Sequence, residues 1–293
     1  MRIQLTKRKS LPLLLILCFL SFSIIEGFLP LHPFESIAHR GASNVAPENT
    51  MAAFEEALAL DFDYIELDVH LSKDGEFIVI HDDTVDRTTN GEGKINEMTV
   101  QDIKELDAGS WYSPQFTNES IPLLREVIDK FGGKIGLLIE IKTTGQQIEM
   151  AGALSPLLLD SIEKGQLSYK NVKVQSFNVK EIEKFHQLAP KIATGLLLNN
   201  PLDTFQLTTY RQFTTFLSIH YYAISSAFIK QAEFYDYEIY SWTIKQQYQF
   251  YDMQRIGVHG IISDEEMKTR NTHFYALVSP LLKGQDILRT FFV

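Results

Sequence analysis

Cysteine is nearly absent. Cys18 stands alone in 293 residues. No disulfide can close within the chain, and a zinc site built from several thiolates is excluded. Everything after residue 18 lacks a thiolate nucleophile as well, so stability must come from core packing. Positive charge is also short: 27 Lys and Arg stand against 37 Asp and Glu, for a net charge of −10. Beyond residue 27 the balance falls to −13, because Arg2, Lys7, Arg8 and Lys9 are left behind with one acid, Glu26. Nucleic-acid binding needs a basic footprint, so no nucleic-acid partner is expected. An anionic substrate would be repelled at long range and would need concentrated local positive charge, such as a metal ion. No internal repeat or low-complexity tract is present, and no protein partner can be inferred.

One apolar run stands out at the N-terminus. Lys7, Arg8 and Lys9 precede the stretch from Leu11 to Ile25, which Pro12 interrupts. A basic segment before about 15 apolar residues fits a secretory leader, and it falls short of the ~20 residues of a spanning helix. Residues 1–27 are therefore expected to be a signal peptide. Ile25-Glu26-Gly27 is a poor cleavage site, so an uncleaved membrane anchor is the alternative, with the protein exported in either case.

Past the leader, strand and helix patterns alternate. Strands are expected at Ser36–Ala38, Tyr64–Val69, Phe77–Ile80, Gly136–Ile141, Val172–Gln175, Ala193–Leu198, Ile219–Ile224, Ile239–Trp242 and Gly260–Ile262. Helical spacing covers Thr50–Leu60, Leu123–Phe131, Gln147–Lys164, Val179–Leu188 and Gln246–Ile256. Such alternation over ~250 residues predicts a (β/α)8 TIM barrel, here at 35–270. Nine strands are one too many. About seven residues separate the second and third, too few for a parallel crossover, and Asp74-Gly75 is a hairpin signal. The third strand should therefore return antiparallel and bring His81 back beside Glu66 and Asp68. Residues 83–121 lack periodicity and read as a small insertion near the barrel mouth. Residues 271–293 read as a C-terminal helix or tail.

Charged residues gather at the strand ends, where barrel active sites lie. His39 and Arg40 follow the first strand. Glu66 and Asp68 leave one face of the second, and Glu140 and Lys142 repeat that spacing. Each acid taken singly could form a structural salt bridge with Arg40 or Lys142. Three acids on one inner face are better balanced by a hard divalent cation, Ca2+ or Mg2+, with Mn2+ also admissible. Two histidines suit general acid–base work, and Arg40 and Lys142 suit phosphate oxygens. The inventory points to phosphoester cleavage on a small-molecule substrate.

His39-Arg40-Gly41, Ala46-Pro47-Glu48-Asn49-Thr50, Glu66-Leu67-Asp68-Val69, His81-Asp82 and Glu140-Ile141-Lys142 together resemble the motifs of the glycerophosphodiester phosphodiesterase family. Leu106-Asp107-Ala108-Gly109-Ser110-Trp111 and Trp242-Thr243 extend the likeness, which runs from about Ser36 to Asp264. The resemblance implies a TIM barrel with a small insertion, and metal-dependent hydrolysis of glycerophosphodiesters to glycerol 3-phosphate and an alcohol. By the same resemblance Glu66, Asp68 and Glu140 hold the metal and His39 and His81 form the acid–base pair. Arg40 and Lys142 contact phosphate, and Glu48 lines the site. Trp242, closing a strand, and Phe177 are expected to border the glycerol or the alcohol. Two other readings stand beside this one: the same chemistry on lysophospholipid, phosphatidylinositol or envelope-polymer substrates, and a non-catalytic exported barrel that binds glycerophosphodiesters.

Overall fold

The computed structural model describes residues 34–143 and 150–267. The leader, Cys18 and the C-terminal tail lie outside the described residues.

The described chain alternates strands and helices. It opens with β1 (Glu35–Ala38), α1 (Met51–Ala59), β2 (Tyr64–Leu71) and β3 (Phe77–Val79). Then come α2 (Val100–Lys104), α3 (Leu124–Phe131), β4 (Gly136–Ile141) and α4 (Met150–Glu163). β5 (Val172–Ser176), α5 (Val179–Leu188), β6 (Ala193–Leu198), α6 (Thr204–Tyr210) and β7 (Phe216–His220) follow. The last are α7 (Ser226–Phe234), β8 (Glu238–Ile244), α8 (Gln247–Ile256) and β9 (Gly260–Ser263). Eight strands pair in parallel, and β1 closes the sheet by pairing with both β9 and β2. β3 pairs antiparallel with β2 alone, with Val69 opposite Val79. The expected hairpin and the eight-stranded (β/α)8 barrel are both present.

Strand alternation sorts the side chains. Ile65, Leu67 and Val69 of β2 and Leu137, Ile139 and Ile141 of β4 face outward, into the core beneath the helices, with Phe54, Leu154 and Phe185. Inside the barrel, Ile37, Tyr64, Leu138, Phe216, Tyr240 and Ile262 form an apolar plug. Gly195 makes room for it, because a Cβ there would lie 2.0 Å from the Phe216 ring. Below the plug, buried Lys173 sits 2.6 Å from Glu35 and donates to the Tyr240 hydroxyl, whose single proton is shared between Glu35 at 2.6 Å and Glu238 at 2.8 Å. The barrel is thereby sealed at its N-terminal end, and the C-terminal mouth is left for chemistry.

Two expectations need correction. The seventh strand runs Phe216–His220, not Ile219–Ile224; Tyr221–Ala223 is a turn of 3-10 helix. Register decides this, since Phe216 pairs with Glu238 and His220 with Trp242. Three helices, α2, α6 and α7, are additions to the expected set; α2 and α6 bury one residue each, whereas α7 buries Phe228, Ile229 and Ala232 along one face. The insertion has a core of its own, Val85, Ile95, Ile103, Ala108 and Ile121, packed against Ile78 and Ile80 of the hairpin arm.

Candidate active site

Asp68 of β2 stands opposite Glu140 of β4 in the parallel register, and Glu66 sits one inward position below Asp68. One carboxylate oxygen from each of Glu66, Asp68 and Glu140 lies within 4.8 Å of the others, and all three residues are buried. Burial, reinforced by the charges of Asp68 and Glu140, raises Glu66 well above the usual carboxylate range. Burial and the charge of Asp68 push Glu140 up to about 7. Burial would raise Asp68 too, but Lys142 and Arg40 outweigh it, with help from His81 and Asn49, and hold it below its ordinary value.

Two cations border the acids. Lys142 Nζ is 2.9 Å from Glu140 Oε1 and 3.4 Å from Asp68 Oδ1. Arg40 takes a left-handed backbone at φ +58, which turns its amide N–H to Glu66 Oε2 at 2.9 Å. Such a backbone is uncommon outside glycine and is held only where its surroundings over-determine it. Arg40 Nη1 donates to Glu48 Oε1 at 2.7 Å. Its buried Nε donates to no acceptor among the described residues and lies 3.6 Å from Asp68 Oδ2.

The Pro47–Thr50 turn explains why these residues sit together. Asn49, also left-handed at φ +56, donates Nδ2–H to Asp68 Oδ2 at 2.8 Å. Thr50 caps α1 by accepting from the Ala53 amide at 3.2 Å. Gly41, at φ +80, lets the chain pass against Ala53, which a Cβ would meet at 2.7 Å.

Each histidine is held at the same ring nitrogen. His39 Nδ1 is 2.6 Å from Asp264 Oδ1, and His81 Nδ1 is 2.6 Å from Asp82 Oδ1. A carboxylate acceptor fixes the proton on Nδ1 and leaves Nε2 to accept or deliver one. Burial lowers His81 below its ordinary value, the Asp68 charge opposing and Arg40 and Lys142 assisting. Behind His81, Asp82 is paired with Arg87. Burial would lift Asp82, yet the hydrogen bonds from Arg87 and His81 bring it down to about 2. Buried His70 steadies the backbone beneath that ring. Its Nε2 meets the His81 carbonyl at 3.0 Å and fixes the turn out of β3.

The opposite half of the mouth is aromatic. Phe177, after β5, and Trp242, in β8, pack edge to face with ring centroids 5.6 Å apart. Trp242 lies 4.9 Å from the His220 ring, which stacks on Tyr222 at 3.7 Å. The Trp242 indole N–H donates to the Ser218 carbonyl at 2.9 Å, which fixes the ring's orientation.

The glycerophosphoryl diester phosphodiesterase family model matches residues 39–267, a span that runs from His39 past Asp264. The chain belongs to that family. As a member of it, the protein is an enzyme, a phosphodiesterase. The Bacillus subtilis (strain 168) protein YhdW is 40% identical over 232 residues, covering 78% of this chain and 93% of YhdW. A glycerophosphodiester phosphodiesterase of Caldanaerobacter subterraneus subsp. tengcongensis is 37% identical over 230 residues, with the same coverage of both chains. Among solved structures, an Oleispira antarctica phosphodiesterase in complex with the product sn-glycerol-3-phosphate superposes with a TM-score of 0.74. It is 28% identical, and the match covers 81% of this chain and 96% of that one.

Thus the residues singled out from the sequence fall into two groups. Glu66, Asp68, Glu140, Arg40, Lys142 and Glu48 interlock, with His39 and His81 beside them. Phe177 and Trp242 stand apart, on the aromatic half. Glu48 is not a free lining group, because it is clasped between Arg40 and Arg87. Sequence reasoning missed Asp264, Asn49, Arg87 and His70. Asp264 carried a signal: it follows directly on β9, the same placement as His39 after β1.

Proposed function

We propose that the enzyme hydrolyses glycerophosphodiesters to sn-glycerol 3-phosphate and an alcohol. The observation that carries this is the meeting, at one barrel mouth, of a buried three-carboxylate cluster with two histidines pinned at Nδ1 by acids. Three buried oxygen donors, two of them pushed toward the protonated form by burial and by the charge of Asp68, suit a hard divalent cation. Glu66, Asp68 and Glu140 would hold it. When bound, a cation of this kind, Ca2+ or Mg2+ with Mn2+ admissible, supplies Lewis-acid stabilisation of charge on phosphate oxygens.

The remaining work falls to the chain's own groups. Arg40 and Lys142, the two cations that border the acids, bind and orient the phosphate. One histidine removes a proton at Nε2 from the attacking hydroxyl. The other delivers a proton from Nε2 to the departing alcohol oxygen, so the P–O bond breaks without expelling an alkoxide. Asp264 and Asp82 keep each ring in the required tautomer and orientation. Water enters overall as hydrogen on the alcohol and hydroxyl on the phosphate. Trp242 and Phe177 wall the pocket for the glycerol or the alcohol. The exposed rings of Phe177 and Tyr222, beside the partly buried Trp242, also favour a second reading in which the diester carries a lipid chain. We further propose export, with the N-terminal segment as signal or anchor.

The deciding experiment is a metal-supplemented assay on soluble glycerophosphocholine and on micellar lysophospholipid, with product identification. Glycerol 3-phosphate release that disappears on chelation and returns with a divalent cation supports the proposal. Activity that survives exhaustive chelation removes the metal from it. A cyclic phosphate among the products would identify a substrate hydroxyl, not water, as the first attacking group. Recovery of the protein only from the cytoplasm would refute export.

A further inference from the structure

Arg87 lies in the turn that leads from His81 into the insertion, and its guanidinium serves two carboxylates at once. Nε donates to Asp82 Oδ2 at 2.6 Å, and Nη2 to Asp82 Oδ1 at 3.2 Å. Nη1 donates to Glu48 Oε2 at 2.8 Å, and Nη2 to Glu48 Oε1 at 2.8 Å. Each acid has a second duty: Asp82 Oδ1 holds the His81 ring, and Glu48 Oε1 holds Arg40. The side chains therefore form one unbroken chain, His81–Asp82–Arg87–Glu48–Arg40, from a proton carrier to a phosphate binder.

We infer that Arg87 is a positioning residue that locks His81 and Arg40 into a single frame, so that the insertion is a working part of the active site. The inference rests on the proposed function. Without the guanidinium, Asp82 keeps only the imidazole and is free to rotate away from it. Glu48 is left with Arg40 alone and draws that guanidinium toward itself, off the phosphate position. The two carboxylates also lose the charge that lets them sit close together. Only a planar fork can do this, since a lysine ammonium is a point charge that cannot grip two carboxylates through paired parallel bonds.

The turn that carries Arg87 is tied down on both sides. Val85 is part of the insertion core, and its amide donates to the Gly93 carbonyl at 2.9 Å. Asp86 Oδ1 accepts the Gly93 amide at 2.8 Å, buried Thr88 follows Arg87, and Thr89 Oγ1 donates to the Val85 carbonyl at 2.8 Å. This is the physical use of the insertion core: it gives a half-exposed arginine a rigid base.

The test uses the full chain, supplied with Mg2+ or Ca2+, and glycerophosphocholine as substrate. Arg87→Met should lower kcat by about 10–100-fold, the usual range for a partner that orients a working group. Metal affinity by calorimetric titration should fall far less than kcat does, because Arg87 itself touches none of the three acids. Arg87→Lys keeps the charge and should fold, yet restore only part of the lost kcat. In an Asp82→Asn background, adding Arg87→Met should lower kcat by clearly less than it does in the parent, because the His81 branch is already lost and only the Glu48–Arg40 branch remains to be broken. Wild-type kcat in Arg87→Lys, or independent multiplicative losses in the double variant, would overturn the inference. So would a loss of kcat matched by an equal loss of folded protein. If the wild-type chain releases no glycerol 3-phosphate at all, the proposed function fails; if it does and Arg87→Lys is normal, only this inference fails.

Discussion

His39 and Asp264 are 225 residues apart in the chain, and their side chains meet at 2.6 Å across the β1–β9 seam of the barrel. The contact fixes which imidazole nitrogen faces outward, and it depends on closure of the barrel. His39→Ala should lower kcat by about 10²–10⁴-fold, the span of general acid–base contributions. Asp264→Asn should cost about 10–100-fold, since an amide can donate to Nδ1 and favour the wrong tautomer. Steady-state rates on a soluble diester check both. An Asp264→Asn enzyme with normal kcat would mean that His39 needs no orienting partner.

Removal of metal should reveal the strain among the three acids. Glu140 titrates at about 7 in the folded chain, and Glu66 is also raised, against about 4.3 for a free glutamate. The folded state thus holds protons that the unfolded state has already released. Their contribution to stability is complete below about pH 4.3, and the Glu140 share is lost as pH rises through about 7. Metal-free protein should accordingly melt at a lower temperature at pH 8 than at pH 5.5. Adding Mg2+ or Ca2+ should raise the melting temperature more at pH 8, where fewer protons must be displaced from the cluster. A metal-induced rise that is larger at pH 5.5 would contradict this account of the cluster.

Lys173 gives a contrasting case at the other end of the barrel. It is buried against Glu35, Glu238 and the rings of Tyr64 and Tyr240. Lys173→Met removes one partner of a buried ionic group and should destabilise the fold by about 3–5 kcal/mol. At temperatures where the variant stays folded, kcat should remain near that of the parent, because the apolar plug separates Lys173 from the mouth. Denaturant unfolding and initial rates, measured together, separate stability from catalysis. A large fall in kcat without loss of stability would show the two ends to be coupled.

How much of this was legible in the sequence follows from how local each signal is. Glu66 and Asp68 announce themselves because strand alternation places i and i+2 on one face. The β3 return is legible because Asp74-Gly75 sits in a gap too short for a crossover, and Gly75 indeed has φ +84. The end of β7 was not, because Phe216-Leu217-Ser218-Ile219-His220-Tyr221-Tyr222-Ala223-Ile224 is apolar or aromatic almost throughout and buried parallel strands do not alternate. α6 hid for the opposite reason: Leu207 is its only buried residue and Phe205 is exposed, so no stripe forms. Its sole marker is the Asp203–Gln206 capping box. Arg87 escaped because its contact with Glu48 spans 39 residues, and Asp264, though placed at a strand end, gives no local sign of its partner 225 residues away.

Gly41 links backbone geometry to the site most directly. Its φ of +80 is a region that costs other residues about 1–2 kcal/mol, and a Cβ there would lie 2.7 Å from Ala53 Cβ and 2.8 Å from its backbone. Gly75 has nearly the same φ, +84, with nothing within 4 Å of an added Cβ. Gly75→Ala should therefore show the conformational cost alone, about 1 kcal/mol, with kcat unchanged. Gly41→Ala should lose distinctly more stability and, by forcing the turn off α1, displace the Arg40 amide from Glu66 and lower activity as well. The pair separates backbone strain from collision at one kind of residue. Equal melting temperatures for the two variants would show that the approach of Gly41 to Ala53 is looser than 2.7 Å implies.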